Sequence, residues 1–456
     1  MTIQVSPVSD GATINGKLRG DRTAYLSKLL NLPQQDLKKF HALSTEAYEA
    51  LAGLRDRATA RVQELAIPST KDEEWRFTDL SPLLQVNFQS VAGRVASPSL
   101  QLSDIEPFAL SEAEGSRLVF VDGVYAPTLS SISAIPDKIV VGSLRNGIAQ
   151  SRWVNYLAKQ QGSEEVFTAL NTSHLDDAAV LWIPKHLTVE VPIHLLFIST
   201  SAIPIISHPR CLVIAESGSS IKFIEEFTFI NEGVYFSNPV TEIWIEENAQ
   251  VNHTRIQRDS QEAFHISKTA VSQARDSRYT CNAISHGAKL SRHNLEVYQT
   301  GEQTETKLNG LTMIGDEQLA DTHSLISFTK PHGTSHQVHK CIVDDRAHAV
   351  FNGKIFVPKP AQLTDAGQLS STLLLSEKAR IDTKPQLEIT ADNVKCSHGA
   401  TVSQLDSDEV FYLQSRGINA ETSRRLLTYA FAYDVLKEIP VPSLRNTLAQ
   451  YVREHF

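Results

Sequence analysis

The run Cys396-Ser397-His398-Gly399 places a thiol and an imidazole two residues apart. In a β-strand, side chains two positions apart point to the same side, so Cys396 and His398 can reach one metal ion or one sulfur species. Thiolate is a soft ligand that suits iron and sulfane sulfur, and imidazole also suits iron. Two ligands do not complete a tetrahedral site, so a second chain or a labile cluster would supply the rest. A buried cysteine beside a structural histidine is the alternative interpretation.

Five histidines lie close together in the sequence: His323, His332, His336, His339 and His348. Imidazoles at this density could bind a metal, which would make the chain a metalloenzyme. In a strand, however, His332 and His336 would face one side and His339 the other. The chain carries no H-E-x-x-H pattern here. We therefore favour polar positions in turns or at an interface over a metal site.

The segment from Gly11 to Leu18 is nearly a P-loop. Leu18 stands where that motif needs the Ser or Thr that holds magnesium, and no buried strand precedes Gly11. We interpret the segment as a chance match in a flexible N-terminus. We therefore expect that the chain does not hydrolyse ATP itself.

The composition excludes some classes of protein. The chain has 456 residues, of which 41% are hydrophobic, so it can bury a large core without disulfide or metal staples. A net charge of -9 excludes a generally basic nucleic-acid binder. The four cysteines form no C-x-x-C pair, which argues against a disulfide framework or a self-contained zinc site.

No targeting or membrane segment is visible in the sequence. The start MTIQVSPVSD has no basic region followed by an apolar one, so we expect no secretory signal. The most apolar stretch, 191–206, contains prolines and is shorter than a spanning helix requires. We interpret it as buried strands. We therefore expect a cytoplasmic protein that has no membrane partner.

Three regions differ in their patterns. Leu51, Leu54, Ala58 and Val62 recur at helical spacing, so residues 21–66 read as helices, with Ser44 as an N-cap. A helical patch is also predicted at about 145–170. From about residue 180 to 405, short β-branched runs end in polar turns. These patterns predict an N-terminal helical domain (1–115), a β-rich body (116–405) and a C-terminal helical domain (406–456).

The turns of the β-rich body are followed by a small, a polar and then an apolar residue. Ser219, Ala249 and Ser277 begin three such triplets about 30 residues apart, but other intervals are irregular. This weak period fits strand–turn–strand units stacked in a parallel β-solenoid. A large antiparallel sandwich or barrel explains the pattern equally well.

The last segment is predicted to be helical. Asn419 is a plausible N-cap. The expected apolar stripe consists of Leu426, Leu427, Ala430, Phe431, Val435 and Ile439. Arg424 and Arg425 lie near the start of this helix. They form either a solvated helix face or a surface on which a partner docks.

Several segments together resemble the SufB/SufD family of iron–sulfur cluster assembly scaffold proteins. The landmarks are 68–79 (PSTKDEEWRFTD), 121–125 (VDGVY), 169–171, 339–354, 362–368 (QLTDAGQ), 385–401 and 411–418 (FYLQSRGI). The run Cys-Ser-His-Gly-Ala-Thr at 396–401 is similar to the SufD branch. The SufB branch carries Glu-His-Glu-Ala-Thr there, which this chain lacks.

The resemblance implies a mainly β protein, with a right-handed parallel β-helix core between N- and C-terminal helical domains. It also implies a non-catalytic scaffold subunit that works with SufB and with two copies of the ATPase SufC. A transient iron–sulfur cluster would form at the SufB–SufD junction on Cys396 and His398, with a further cysteine from SufB. The C-terminal helices would receive SufC, and Arg424, Arg425 and Phe431 are the residues expected there.

Other readings remain open beside this one. The chain could be a SufB-like paralogue, or a β-helix carbohydrate-active enzyme, although the latter is normally secreted. Open edge strands at the end of a β-helix would let the isolated chain form a homodimer. The assembled complex could bind a reduced flavin, to which no residue of this sequence points. A structural protein with an inert Cys-x-His run is the last alternative.

Overall fold

The computed structural model describes residues 11–34, 43–91, 100–146, 152–200 and 203–456, with side chains from Asp21 onward. The α-helices are α1 (Gly11–Leu30), α2 (Thr45–Gln63), α3 (Ser81–Leu84), α4 (Leu102–Ile105), α5 (Val166–Ser173), α6 (Ser407–Ser415), α7 (Ala420–Leu436) and α8 (Pro442–His455). None of these described helices is long and apolar enough to cross a bilayer.

The strands occupy most of the chain between the N- and C-terminal helices. They are β1 (Gln89–Ser90), β2 (Arg117–Val121), β3 (Val124–Tyr125), β4 (Val140–Ser143), β5 (Ala179–Ile183), β6 (Ile193–Ser199), β7 (Ile205–Ser207), β8 (Arg210–Ala215), β9 (Ser220–Phe229), β10 (Tyr235–Ser237), β11 (Val240–Ile245), β12 (Gln250–Asp259), β13 (Phe264–Gln273), β14 (Arg278–Gly287), β15 (Leu290–Gln299), β16 (Glu305–Ile314), β17 (Leu319–Phe328), β18 (Thr334–Val343), β19 (His348–Val357), β20 (Asp365–Leu374), β21 (Arg380–Ile389) and β22 (Lys395–Ser403).

The strands form two sheets that stack into a parallel β-solenoid of about 8 turns. Sheet 1 has the order β21-β19-β17-β15-β13-β11-β8-β5-β4, and sheet 2 has the order β22-β20-β18-β16-β14-β12-β9-β6-β2-β3. Apart from the short strands β7 and β10, which precede β8 and β11 in sheet 1, strands from β5 onward alternate between the sheets, so each turn adds one long parallel strand to each. This arrangement confirms the solenoid and excludes the antiparallel sandwich. Two features depart from this pattern: β1, β7 and β10 pair outside the main order of sheet 1, and β3 and β4 pair antiparallel to their neighbours.

Polar turn residues explain how the strands change sheets at such regular intervals. Asn248, Asp276, Asp316 and Asp345 adopt positive φ angles of 57°, 57°, 53° and 49° between consecutive strands. Asn and Asp tolerate this left-handed region because their short polar side chains bond locally to the backbone. The small residues that follow, such as Ala249 and Ser277, are buried. The triplets seen in the sequence are therefore the points at which the chain enters a new strand.

The solenoid interior is filled by alternate residues of both sheets. Its main cluster includes Ile221, Val251, Val297 and Ile355, all buried. Some inward positions are polar, such as Glu225 between Phe223 and Phe227 of this cluster. The predicted buried strands within 191–206 are confirmed as β6 and β7.

Helices cover the outer faces of both sheets. Leu26 of α1 packs in one cluster with Ile266 of sheet 1, and Leu51 of α2 packs in another with Ile214. On the other side, α7 and α8 share a cluster with outward-facing residues of sheet 2 such as Ile284. The solenoid therefore lies between an N-terminal and a C-terminal helical region.

Both predicted N-caps are confirmed. The hydroxyl of Ser44 accepts a hydrogen bond from the backbone N–H of Ala47 at the start of α2. The amide oxygen of Asn419 accepts one from Thr422 at the start of α7. Each side chain satisfies an N–H group that has no partner within the helix.

Three sequence predictions need correction. The near-P-loop segment starting at Gly11 lies within the helix α1. In the described part of the helical patch expected at about 145–170, which excludes 147–151, the structure has single turns at Leu144–Asn146 and Arg152–Asn155 and the start of α5. In α7, Leu426 and Ala430 are exposed, whereas the buried positions are Ser423, Thr428, Ala432, Val435 and Leu436.

Candidate functional site

The last turn of the solenoid, formed by β21 and β22, is open on one side. Among the described strands, β21 pairs with β19 alone and β22 pairs with β20 alone. The opposite edge of each strand therefore presents backbone N–H and C=O groups that no described strand pairs with. Such an edge is a ready template for a strand from another chain.

Cys396 and His398 both lie on the edge strand β22. Its register sets Cys396 beside Ala366 and His398 beside Gln368 of β20. Both neighbours are buried, so strand alternation turns the two candidate ligands toward the end of the interior column. Cys396 is half-buried and packs against the interior cluster, whereas His398 is exposed. The structure thus brings the two residues to one side of one strand, at a surface that another chain can reach.

The environment of Cys396 keeps its thiol protonated at neutral pH. Desolvation by the last turns raises the pKa of this thiol, and the nearby carboxylate of Asp365 raises it further. A hydrogen bond from the backbone of Ala366 opposes both effects. Because the thiolate is the form that binds metals, iron would have to displace this proton when it binds.

Two buried glutamines lie in the interior column below His398. Gln368 is its direct neighbour on β20, and Gln337 of β18 is the next residue in the same register. The Gln337 side chain donates a hydrogen bond to the Ser324 hydroxyl at 2.7 Å. Neither amide atom of Gln368 has a hydrogen-bond partner. Local sequence patterns give no signal for Gln368, because only the pairing of β20 with β22 shows that it lies beside His398.

Large apolar side chains are exposed around the same end of the solenoid. They are Leu363 in the turn before β20, Leu369 on β20, Ile389 at the end of β21 and Val402 on β22. Exposed apolar side chains close to an open sheet edge are typical of a surface that another protein covers.

The histidines between 323 and 348 are dispersed. His339 faces the interior, stacks on Phe351 at 4.5 Å and is kept neutral by burial, which lowers its pKa to about 3. His336 is exposed on the other side of the same strand, as predicted, and His348 pairs with Asp382 at 2.7 Å. Within the described ranges, no group of three or more His, Cys, Asp and Glu residues is arranged to hold a metal ion.

The N-terminal landmark around Trp75 packs on the outer face of sheet 1. The Arg292 guanidinium lies 3.9 Å from the centre of the Trp75 ring and donates a hydrogen bond to the backbone carbonyl of Glu74 at 2.8 Å. Arg292 also pairs with buried Asp321, which accepts a further hydrogen bond from Thr78. These contacts account for the landmark as an anchor of the N-terminal region.

A cleft of about 1200 Å³ lies between this N-terminal segment and sheet 1. Its basic side chains are balanced by acidic ones, such as Lys268, which contacts Glu165 at 2.9 Å and Glu296 at 2.8 Å. The charges that line the cleft therefore favour neither a cation nor an anion. No sequence motif predicted the cleft.

The residues predicted for docking are in different environments. Arg424 and Arg425 are exposed on α7, where Arg425 pairs with Glu421 at 2.9 Å. Phe431 is half-buried beneath the Lys340 ammonium, 4.4 Å from its ring centre. Lys340 also donates to the Phe431 carbonyl at 3.1 Å and to Asp434 at 2.9 Å. This side of α7 therefore faces sheet 2, and Phe431 fastens the helix to the solenoid.

Two aromatic residues that the sequence analysis did not propose for docking are exposed on α6. Phe411 is 70% exposed and Tyr412 is 58% exposed. Leu426 and Tyr433 of α7 are also exposed. Aromatic side chains are enriched in protein interfaces, so α6 and α7 offer better anchors for a partner than the two arginines alone.

Comparisons with known proteins cover nearly the whole chain. Residues 197–431 match the family model described as SUF system FeS cluster assembly, SufBD core domain, and residues 28–195 match the SufBD protein N-terminal region. An iron–sulfur cluster assembly SufBD family protein from Synechocystis sp. is 46% identical over 429 residues, 92% of this chain and 94% of that protein.

Relatives from Escherichia coli and Bacillus subtilis carry the name iron–sulfur cluster assembly protein SufD. The one from Escherichia coli is 30% identical over 398 residues, which is 86% of this chain and 90% of the relative. The one from Bacillus subtilis is 27% identical over 444 residues, which is 94% of this chain and 98% of the relative. The similarity therefore includes both the helical regions and the solenoid.

Proposed function

Because this chain belongs to the SufBD family of iron–sulfur cluster assembly proteins, we propose that it is a non-catalytic scaffold subunit on the SufD side of a SUF complex. A cluster is built at the open end of its solenoid, where a SufB partner adds its own strands and ligands. Iron and sulfide are cargo in this process, and the chain holds them without turning over a substrate.

The position of Cys396 and His398 on the unpaired edge of β22 is the observation that carries this proposal. A partner that extends the sheets from this edge gains backbone hydrogen bonds and covers the exposed apolar residues nearby. The same docking brings the partner's ligands next to the two side chains of this chain. The partner would thus supply the ligands that Cys396 and His398 alone do not provide.

The two candidate ligands differ in how they would receive iron. His398 is exposed, so its imidazole is accessible before the partner closes the site. Cys396 is half-buried and protonated, so it becomes a ligand only after it loses its proton. We therefore assign the main iron contact to His398, and a supporting or protecting role to Cys396.

The C-terminal helices are proposed to receive the ATPase SufC. Exposed Phe411 and Tyr412 on α6 and exposed Arg424 and Arg425 on α7 provide anchors and charges for this contact. ATP would bring two SufC chains together and pull on these helices. A change at the helices reaches the solenoid through α7, which Lys340 of β18 holds to sheet 2, and through Glu438 just after α7, which pairs with Lys307 of β16. Nucleotide would thus bias a two-state interface at the open end.

The substitution His398→Ala tests the proposal directly. We expect it to abolish cluster formation by the complex while leaving the complex assembled, because the exposed imidazole supports no buried contact. Cluster formation is measured by the visible absorbance of the purified complex after iron and sulfide are supplied anaerobically. His336→Ala is the matched control, since His336 is an exposed histidine on the outer face of β18. A His398→Ala complex that forms clusters at the normal rate would eliminate this function for the site.

A further inference from the structure

Gln368 is a buried amide without hydrogen bonds. Its side chain is 4% exposed, and neither its Nε2 nor its Oε1 has a partner among the residues that the structure describes. Burying an amide in this state disfavours folding, because the hydrogen bonds it made to water are not replaced. An unsatisfied buried group in a native protein therefore calls for an explanation.

The position of Gln368 suggests what the amide is for. Its register neighbour on the edge strand is His398, and both side chains belong to the same inward column. Adjacent strands lie about 4.8 Å apart, so the amide and the base of the imidazole are within reach of each other. Gly353 lies across the interior on β19, and a Cβ atom there would overlap the Nε2 atom of Gln368. The glycine leaves the space that the amide occupies behind the candidate site.

Histidines that bind a metal through one ring nitrogen almost always donate the hydrogen of the other nitrogen to an acceptor. This bond fixes the tautomer and the direction of the ring. We propose that Gln368 is the positioning residue for His398, and that its Oε1 accepts this hydrogen when the other ring nitrogen binds iron. The inference rests on the proposed function of His398. It explains why the amide has no partner in the free chain: the imidazole becomes its partner when iron binds.

The first test measures the affinity of the site for ferrous iron alone. The full chain, purified anaerobically with its co-expressed partners, is titrated with Fe²⁺ in competition with a coloured chelator. Gln368→Met has a similar length but no acceptor, and we expect it to weaken Fe²⁺ binding by about 10- to 100-fold. Gln368→Glu keeps the acceptor and should retain wild-type affinity. Gln337→Met, which removes the buried glutamine one strand deeper, should leave the affinity unchanged.

The second test separates positioning from a role in folding. Replacing an unpaired buried amide by methionine should raise the thermal midpoint of the isolated chain by about 1–2 °C. Gln337→Met should lower the midpoint, because it breaks the hydrogen bond to Ser324. A Gln368→Met chain that is destabilised would assign the amide to folding and overturn the inference.

The iron measurement also distinguishes this inference from the proposed function. If His398→Ala weakens Fe²⁺ binding and Gln368→Met does not, the positioning role is wrong and the function stands. The positioning role is also wrong if Gln337→Met weakens binding as much as Gln368→Met. If His398→Ala itself leaves Fe²⁺ binding intact, the proposed function of the site fails and the positioning role fails with it.

Discussion

The four cysteines differ in how far water reaches them. Cys211, Cys281 and Cys341 are buried, whereas Cys396 is half-exposed at the end of the solenoid. Burial raises the pKa of the Cys341 thiol to about 12 and raises that of Cys211 well above its usual value. Only Cys396 therefore combines access with a thiol that can be deprotonated at moderately alkaline pH.

This difference predicts a selective alkylation pattern. Iodoacetamide should modify Cys396 first in the native chain, and Cys211, Cys281 and Cys341 only after unfolding. Because the pKa of Cys396 is raised, less thiolate is present at a given pH than in a model thiol, so its reaction should be slower than that of a model thiol and should accelerate as the pH rises. Mass spectrometry of timed samples measures each site. Faster modification of a buried cysteine would contradict the burial described here.

Some of the site could be predicted from residue spacing, and some could not. The shared side of Cys396 and His398 follows from strand alternation alone, and the structure confirms it. The role proposed for Gln368 depends on which residue of β20 lies beside His398. That register is set by the length of the intervening turn and strand, about 30 residues of chain, so local sequence patterns do not determine it.

At the scale of elements, the N-terminal segment packs on a buried ion pair of the solenoid, Arg292 of β15 with Asp321 of β17. Asp321 accepts hydrogen bonds from Arg292 and Thr78 and also contacts His323 at 3.0 Å. Although burial alone would raise the pKa of Asp321, Arg292 and His323 together lower it to about 2. The sequence pattern identified this segment as a landmark, but not its partners, which lie more than 200 residues away in the chain.

Asp321→Asn should therefore loosen the N-terminal segment. Removing one partner leaves Arg292 buried without its counter-charge, and we expect a loss of about 3 kcal/mol in local stability. Hydrogen exchange of the amides at 73–78 should rise, and the apparent unfolding midpoint in urea should fall. Asp137→Asn, at an exposed aspartate in the loop before β4, is the control and should change neither quantity.

The pH dependence of this effect has a definite sign. The folded-state pKa of Asp321 lies below its unfolded value of about 3.9, so its stabilisation is fully present above that value. It is lost as pH falls through the folded-state value of about 2. The stability difference between wild type and Asp321→Asn should shrink over this window. A difference that stays constant down to pH 2 would show that the carboxylate charge is not responsible.

At the scale of the whole molecule, the two ends of the solenoid are unlike. The first strands include β3 and β4, which are short and antiparallel to their neighbours, whereas the last strands β21 and β22 are long and parallel. Short edge strands discourage pairing with other chains. The residue pattern predicted the strands but did not decide between a solenoid and a sandwich, because both bury alternating residues and differ only in which distant strands pair. The family resemblance favoured the solenoid, which the structure confirms.

The open end predicts self-association of the isolated chain. Without its partner, the chain should form a dimer through β21 and β22 at high concentration, as measured by sedimentation velocity. Val402→Lys and Ile389→Lys place charges among the exposed apolar residues of this end and should shift the equilibrium to monomer. Ile132→Lys changes an exposed isoleucine in a loop outside the last turn and should not. A lysine variant at 402 that dimerises like wild type would place the contact elsewhere.

The difference between the two ends of the solenoid also affects how many molecules can assemble. A stack of strands that could be lengthened from both ends would polymerise into a fibre. Among the described strands, long parallel edges lie at one end, on β21 and β22, whereas the other end finishes with the short antiparallel strands β3 and β4. Two molecules that pair through their β21 and β22 edges offer no second such edge to a third molecule. We therefore expect the assembly to stop at a pair.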